Sequence, residues 1–190
     1  ITRARYSASR ERSVGVGALG FHAYLQRNGI PFESALAKSK NMHVFEYIRS
    51  ELDKANQSLG EERGEAPDAA GTGKRCSHVM AIAPNASSSI IMGNTSPSIE
   101  PWRANAYRQD TLSGAFLNKN KWLDKLIKKK VEEDPKLDYD DLWSSVIASE
   151  GSVQHLKCLS NYEKDTYKTA MEIDQRWVVE HAADRQRFVD

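Results

Sequence analysis

Residues 75–101 of the chain read RCSHVMAIAPNASSSIIMGNTSPSIEP, and they contain its clearest succession of elements. Apolar side chains occupy both alternating faces of residues 78–83, a pattern that predicts a strand covered on both sides, as in a parallel α/β sheet. A polar turn follows at residues 84–89, and residues 90–93 continue as an apolar helical stretch. The segment therefore predicts a strand, a turn and a helix in that order.

The turn has the composition of a helix start that can bind an anion. Asn85 belongs to the residue types that cap helices, and Ala86, Ser87 and Ser88 would offer backbone N–H groups and hydroxyls at the positive end of the helix. Such a site suits a phosphate group and needs no lysine, and the Walker A signature is absent here. An ordinary capped helix explains the same residues equally well, so the local pattern leaves both interpretations open.

Helical patterns flank this segment on both sides. Residues 60–74, rich in Gly, Glu, Ala, Pro and Asp, have the composition of a surface loop. Apolar spacing and helix-stop residues predict five further helices, at Ser13–Leu25 (stopping near Gly29), Ser34–Arg63, around Trp122–Ile127, around Leu142–Ile147 (closed by Gly151) and at Tyr162–Arg185. The fold class is therefore α/β, rich in helix, and too short of strands for a closed sheet.

Composition excludes several classes of protein. Lys plus Arg (27) nearly balance Asp plus Glu (26) over 190 residues, so the chain lacks the basic field of a general nucleic-acid binder. No apolar run approaches the roughly 20 residues that a membrane span needs. The two cysteines, Cys76 and Cys158, rule out a disulfide framework and favour a reducing, cytoplasmic setting.

Other candidate sites carry weaker signals. Gly15, Gly17 and Gly20 match the dinucleotide-binding pattern G-x-G-x-x-G, but polar residues precede them where the motif needs a buried strand. Close helix packing is therefore the better interpretation of these glycines. The five histidines lack metal-ligand spacing, and neither cysteine has a C-x-x-C partner. We therefore predict no metal site and an unreactive role for both thiols.

Residues 75–101 resemble the substrate-phosphate segment of class I ribonucleotide reductase large subunits. The resemblance covers essentially the whole chain, because further segments match that family in kind and order: residues 12–17, 107–108, 112–116, 151–154 and 185–190. The chain departs from the family at Cys76, where members often carry Asn, and at Asn85, where they carry Thr or Ser.

The resemblance implies a place in a ten-stranded α/β barrel that reduces ribonucleoside diphosphates to deoxyribonucleoside diphosphates for DNA synthesis by a thiyl-radical mechanism. Residues 1–190 would form a C-proximal, incomplete part of that barrel, without separate domains. By the motif match, the residues that bind the substrate's diphosphate would be Pro84, Asn85, Ala86, Ser87 and Ser88.

The family's radical chemistry is expected outside this chain. The thiyl-forming cysteine with its Asn and Glu partners, one redox cysteine and the N-terminal nucleotide-sensing domain would lie upstream of Ile1. A tyrosine pair and a cysteine-bearing tail would lie downstream of Asp190. Neither Cys76 nor Cys158 falls at a redox position of the family, so no catalytic residue is expected here, and base preference would be controlled elsewhere.

We therefore expect a fragment that holds no cofactor and turns over no substrate alone. Its partners would be the remainder of the large subunit and a metal-containing, radical-generating small subunit, with thioredoxin or glutaredoxin as reductant. It would act in the cytoplasm, that of the host if the gene is phage-encoded, without nucleic-acid or membrane partners. A split gene and a truncated sequence both explain such a fragment. The alternative is a non-catalytic helical interaction module, in which the strand, turn and helix are only structural.

Overall fold

The structure is a computed structural model that describes residues 1–112 and 114–190. Ser113, which falls within one of the segments that resemble the reductase family, lies outside the described residues. The described residues form eight α-helices and two strands: α1 (Thr2–Glu11), α2 (Phe21–Arg27), α3 (Ala35–Arg63), α4 (Ala86–Ile91), β1 (Ala106–Thr111), β2 (Gly114–Lys119), α5 (Lys121–Glu133), α6 (Tyr139–Ala148), α7 (Asn161–Thr166) and α8 (Gln175–Gln186).

The chain divides into two compact units. The first comprises residues 1–18, 38–84 and 179–190, and the second comprises residues 19–37 and 85–178. None of the described helices is both long and apolar enough to cross a membrane.

The first unit is organised by the main part of α3. Phe45 of this helix is fully buried, as the predicted apolar face requires. The buried amide of Asn56 holds the main chain of Cys76 on both sides, accepting from Cys76 N at 2.8 Å and donating to Cys76 O at 3.0 Å. Buried Asn41, also on α3, donates to His181 O at 2.8 Å. Two polar side chains of α3 therefore hydrogen-bond to the main chain of other segments of this unit.

Residues 78–83 do not form the predicted strand. They run extended, and they pair in parallel with residues 14–16 only through an isolated bridge between Val16 and Met80. A continuous ladder fails because the N–H groups of Val79 and Met80 are both accepted by the carboxylate of Asp190, at 2.6 and 2.9 Å. The prediction of a regular strand over residues 78–83 was therefore wrong.

The predicted helix over Ser13–Leu25 is also wrong in its first half. Residues 14–16 are extended and hydrogen-bonded to residues 78–81, and the helix proper begins only at Phe21. Gly20, with φ of +81°, is the residue that turns the chain into α2. The glycines of this segment therefore lie in extended chain and not in the predicted helix. Their small size lets residues 14–17 approach the main chain of residues 78–81 closely.

The second unit contains two apolar cores. One joins α5 and α6 to the segment that follows them, and its buried members include Leu123, Ile127, Trp143, Val146 and Val153. The other forms around α2 and includes Phe21, Leu25 and Phe32 together with Ile173. The predicted helices around Trp122–Ile127 and Leu142–Ile147 are confirmed, and Gly151 closes the second of them in a left-handed conformation with φ of +84°.

Candidate functional site

The candidate site is the turn into α4, a helix of only six residues. Pro84 is exposed and ends the first unit, and Asn85 opens the second. Asn85 adopts the left-handed conformation, with φ of 53° and ψ of 31°, which asparagine tolerates better than most residues. It occupies the N-cap position as predicted, but its side chain does not make the capping hydrogen bond. The backbone, not the amide side chain, therefore makes this turn.

The first backbone N–H groups of α4 have no acceptor within the helix. The first intrahelical bond runs from Ser89 N to Asn85 O at 2.9 Å, so the N–H groups of Ala86, Ser87 and Ser88 precede the helical ladder. The side chains of Ser87 and Ser88 are exposed, whereas Ser89 is buried and its hydroxyl donates to Ala86 O at 2.7 Å. Three amides and two exposed hydroxyls at this helix start are thus free of intrahelical bonds, which is the composition of an anion site.

A large cavity of the second unit borders the same helix. It has a volume of about 880 Å³ and is lined by Ala86, Ser89 and Ile90 of α4. Two basic and two acidic residues, Arg103, Arg108, Glu150 and Glu172, also line it. The residues that line the cavity therefore carry no excess of positive charge, and the proposed preference for an anion at α4 rests on the helix-start amides.

The glycine-rich segment lacks the context of a dinucleotide site. Helix α1, and not a buried strand, precedes it, and Arg12 at the end of that helix is left-handed with φ of 51°. A Cβ on Gly17 would lie 2.6 Å from the carbonyl oxygen of Ala81. The space beside this glycine is therefore filled by the protein's own main chain, in an extended segment and not in the helix packing that the sequence predicted.

No other cluster among the described residues suggests metal or redox chemistry. They contain no group of three His, Cys, Asp or Glu side chains that could hold a metal ion. Cys76 and Cys158 are both free, and Cys76 is buried. Partial burial raises the pKa of the Cys158 thiol, which disfavours the reactive thiolate.

Two features of the site region escaped sequence reasoning. Buried His22 accepts a hydrogen bond from Trp102 N at 2.8 Å, although 80 positions separate the two residues and nothing in the local pattern links them. The cavity arginines, Arg103 and Arg108, do have a sequence signal. They are two exposed basic residues in the segment that follows Pro101, where Arg103 lies between buried Trp102 and Ala104.

Comparisons with known proteins identify the family to which this chain is similar. The family model described as the ribonucleotide reductase barrel domain matches residues 1–72 and 66–190. The chain is 52% identical to the ribonucleoside-diphosphate reductase large subunit of Invertebrate iridescent virus 6, over 100% of this chain and 20% of that protein. It is 51% identical to the large subunit of Invertebrate iridescent virus 3, over 100% of this chain and 30% of that protein.

A solved structure gives the same result. The class Id ribonucleotide reductase alpha subunit of Actinobacillus ureae superimposes with a TM-score of 0.89 at 40% identity, over 99% of this chain and 33% of that chain. This chain thus spans between 20% and 33% of the length of these three proteins.

Proposed function

The chain belongs to the ribonucleotide reductase family as a part of its barrel domain, and we propose that it works as one portion of a ribonucleoside-diphosphate reductase large subunit. In this role it contributes to the reduction of ribonucleoside diphosphates to deoxyribonucleoside diphosphates. The similarity to reductase large subunits extends over the whole chain, and this observation supports the proposal most strongly.

The specific contribution of this portion is to bind the substrate's diphosphate at the turn into α4. The proposed contacts are the backbone N–H groups of the first turn and the hydroxyls of Ser87 and Ser88, with Pro84 and Asn85 shaping the approach of the chain. The three amides outside the helical ladder and the exposure of Ser87 and Ser88 support this role. Charge-assisted hydrogen bonds from oriented amides stabilise phosphate oxygens without a lysine.

The remaining chemistry belongs to partners. The thiyl radical, the proton-handling side chains at the ribose and the redox cysteine pair would come from the remainder of the large subunit. A metal-containing small subunit would generate the radical, and thioredoxin or glutaredoxin would restore the reduced cysteines. The burial of Cys76 and the raised pKa of the Cys158 thiol support this division, because both disfavour a reactive thiolate.

The test is to combine the chain with the rest of a large subunit, a small subunit and a reductant, and to measure deoxyribonucleoside diphosphate formation. Replacing Ser87 and Ser88 with phenylalanine fills the space in front of the α4 amides. We expect the double variant to lose at least about tenfold in kcat/KM, because each lost hydrogen bond to a charged group contributes roughly 1.5–3 kcal/mol.

The matched control is Ser144→Phe, which places the same bulk on an exposed position of α6. It should leave turnover unchanged. Unchanged affinity for the diphosphate in the Ser87 and Ser88 variant would contradict the proposed site and favour a purely structural, interaction-module role for this chain. Absence of turnover by the wild-type assembly would contradict the proposed function as a whole.

A further inference from the structure

The first turn of α2 is fastened to the segment that follows α4. Gly20 N donates to Ser96 O at 2.8 Å, and Phe21 N donates to Ser98 O at 3.2 Å. Ala23 N donates to the hydroxyl of Ser96 at 3.0 Å. The N–H groups that open a helix usually bind water or a capping side chain. In α2 they instead donate to Ser96 and Ser98, in the segment that follows α4.

The side chain of His22 adds a fourth attachment. Its Nδ1 accepts from Trp102 N at 2.8 Å, and the ring is fully buried. Burial lowers the pKa of His22 to about 3, so the imidazole is neutral near pH 7 and Nδ1 remains an acceptor. The other nitrogen, Nε2, has no hydrogen-bond partner among the described residues. Stability alone would favour a side chain without that unpaired donor.

A short series of contacts links the start of α2 to the first turn of α4. A Cβ on Gly20 would lie 2.7 Å from the hydroxyl oxygen of Thr95, so the start of α2 packs directly on that residue. Thr95 N donates to Ser89 O at 3.0 Å, and the hydroxyl of Ser89 donates to Ala86 O at 2.7 Å. Ala86 carries one of the amides proposed to bind phosphate.

A helix as short as α4 does not hold its direction by its own hydrogen bonds. Its orientation depends on what its two ends are attached to. The start is a left-handed turn at Asn85, and the end runs into the segment fixed by α2. A displacement of that segment would therefore turn the amides away from their ligand.

We propose that His22 and Gly20 are positioning residues for diphosphate binding, which hold the segment after α4 so that the first-turn amides of α4 face the substrate. This inference rests on the proposed function. It also gives the third glycine of the G-x-G-x-x-G pattern a role, which is to let the start of α2 approach Thr95 closely.

The test uses the chain assembled with the rest of the large subunit and the small subunit. His22→Leu removes the acceptor and should raise KM for the ribonucleoside diphosphate roughly tenfold, since small misplacements of binding groups are costly, while kcat changes less than about twofold. Inhibition by inorganic pyrophosphate should weaken in parallel. His22→Asn places an oxygen acceptor where Nδ1 stood and should restore both values. The control is His155→Leu, at an exposed histidine outside the cavity lining.

Each outcome decides the inference. An unchanged KM in His22→Leu overturns it, as does a raised KM that His22→Asn fails to restore. If His22→Leu does not fold, Gly20→Ala replaces it, because that variant removes no polar group and presses on Thr95. A normal KM in Gly20→Ala then overturns the inference. If the wild-type assembly itself shows no turnover, the proposed function fails, and the positioning role fails with it.

Discussion

Asp190 stabilises the extended segment that leads to the candidate site. Its carboxylate accepts from Val79 N and Met80 N, and it pairs with the guanidinium of Arg49 at 2.6 Å. Partial burial acts to raise the pKa of Asp190, but the two backbone donors and Arg49 outweigh it and hold the pKa at about 2, below its ordinary value of 3.8. A carboxylate whose pKa falls on folding stabilises the folded state only while it is charged.

We therefore predict that Asp190→Asn lowers the free energy of unfolding by about 2 kcal/mol at pH 7. The wild-type contribution is fully present above the unfolded pKa of 3.8 and is lost as the pH falls toward about 2. The difference between variant and wild type should accordingly shrink between about pH 5 and pH 2. Denaturant unfolding at a series of pH values measures it.

The control for this pH series is Asp110→Asn. Asp110 pairs with Arg108 on the surface, where both side chains are highly exposed, and such pairs contribute little. A loss from Asp190→Asn that stays constant down to pH 2 would contradict the linkage.

At the scale of elements, the clearest departure from the sequence pattern is the last predicted helix. The periodicity over Tyr162–Arg185 predicts one helix, but the structure divides it into α7 and α8. Between them three backbone N–H groups bond to acceptors outside a helical ladder. Thr169 N donates to the carboxylate of Glu172, Ala170 N to Trp102 O, and Asp174 N to the carboxylate of Glu33. Competing acceptors therefore end the helix, and two of them lie far away in the chain.

We predict that Glu33→Ala lowers the free energy of unfolding by about 1–3 kcal/mol. Glu33 accepts from Asp174 N at 2.7 Å and pairs with Lys168 at 2.5 Å, and both partners lose a charged acceptor in the variant. Denaturant unfolding followed by circular dichroism measures the effect. The control is Glu51→Ala, whose exposed pair with Lys54 should contribute about 0.5 kcal/mol or less. Equal effects of the two substitutions would show that Glu33 does not hold the break.

The two-stranded sheet is another element that the sequence did not predict. Strands β1 and β2 pair antiparallel from Ala106 opposite Lys119 onward. Large parts of both strands are exposed. A half-buried strand shows apolar residues at every second position, but β1 contains the consecutive polar residues Arg108, Gln109 and Asp110. A hairpin without a buried face leaves almost no periodic signal.

At the scale of the whole molecule, we predict that the chain does not turn over substrate alone. The resemblance to the family implies that the thiyl cysteine and the redox pair are supplied by other residues of the large subunit. Its own Cys76 and Cys158 are free. Incubation of the chain with a small subunit, a reductant and a ribonucleoside diphosphate should yield no deoxyribonucleotide. Addition of the remaining large-subunit polypeptide should restore turnover, and product formed without it would contradict this expectation.

The sequence by itself determined the family, the helix-rich fold class and the position of the turn into α4. The order of short motifs identified the reductase barrel, which the family model and the solved structure confirm. Helix α3 and the helices around Trp122–Ile127 and Leu142–Ile147 followed from local periodicity, because their buried faces recur every three or four residues.

Only the tertiary structure decided how the surroundings of that turn are held. The extended course of residues 14–16, the binding of Val79 and Met80 by Asp190, and the bond from Trp102 to His22 all join residues far apart in the chain. The spacing of apolar residues predicts which face of an element is buried. It does not predict which donor or acceptor far away in the chain will hydrogen-bond to the backbone of that element. For this reason the sequence alone predicted the candidate site, whereas the contact of His22 that is proposed to position it emerged only from the tertiary structure.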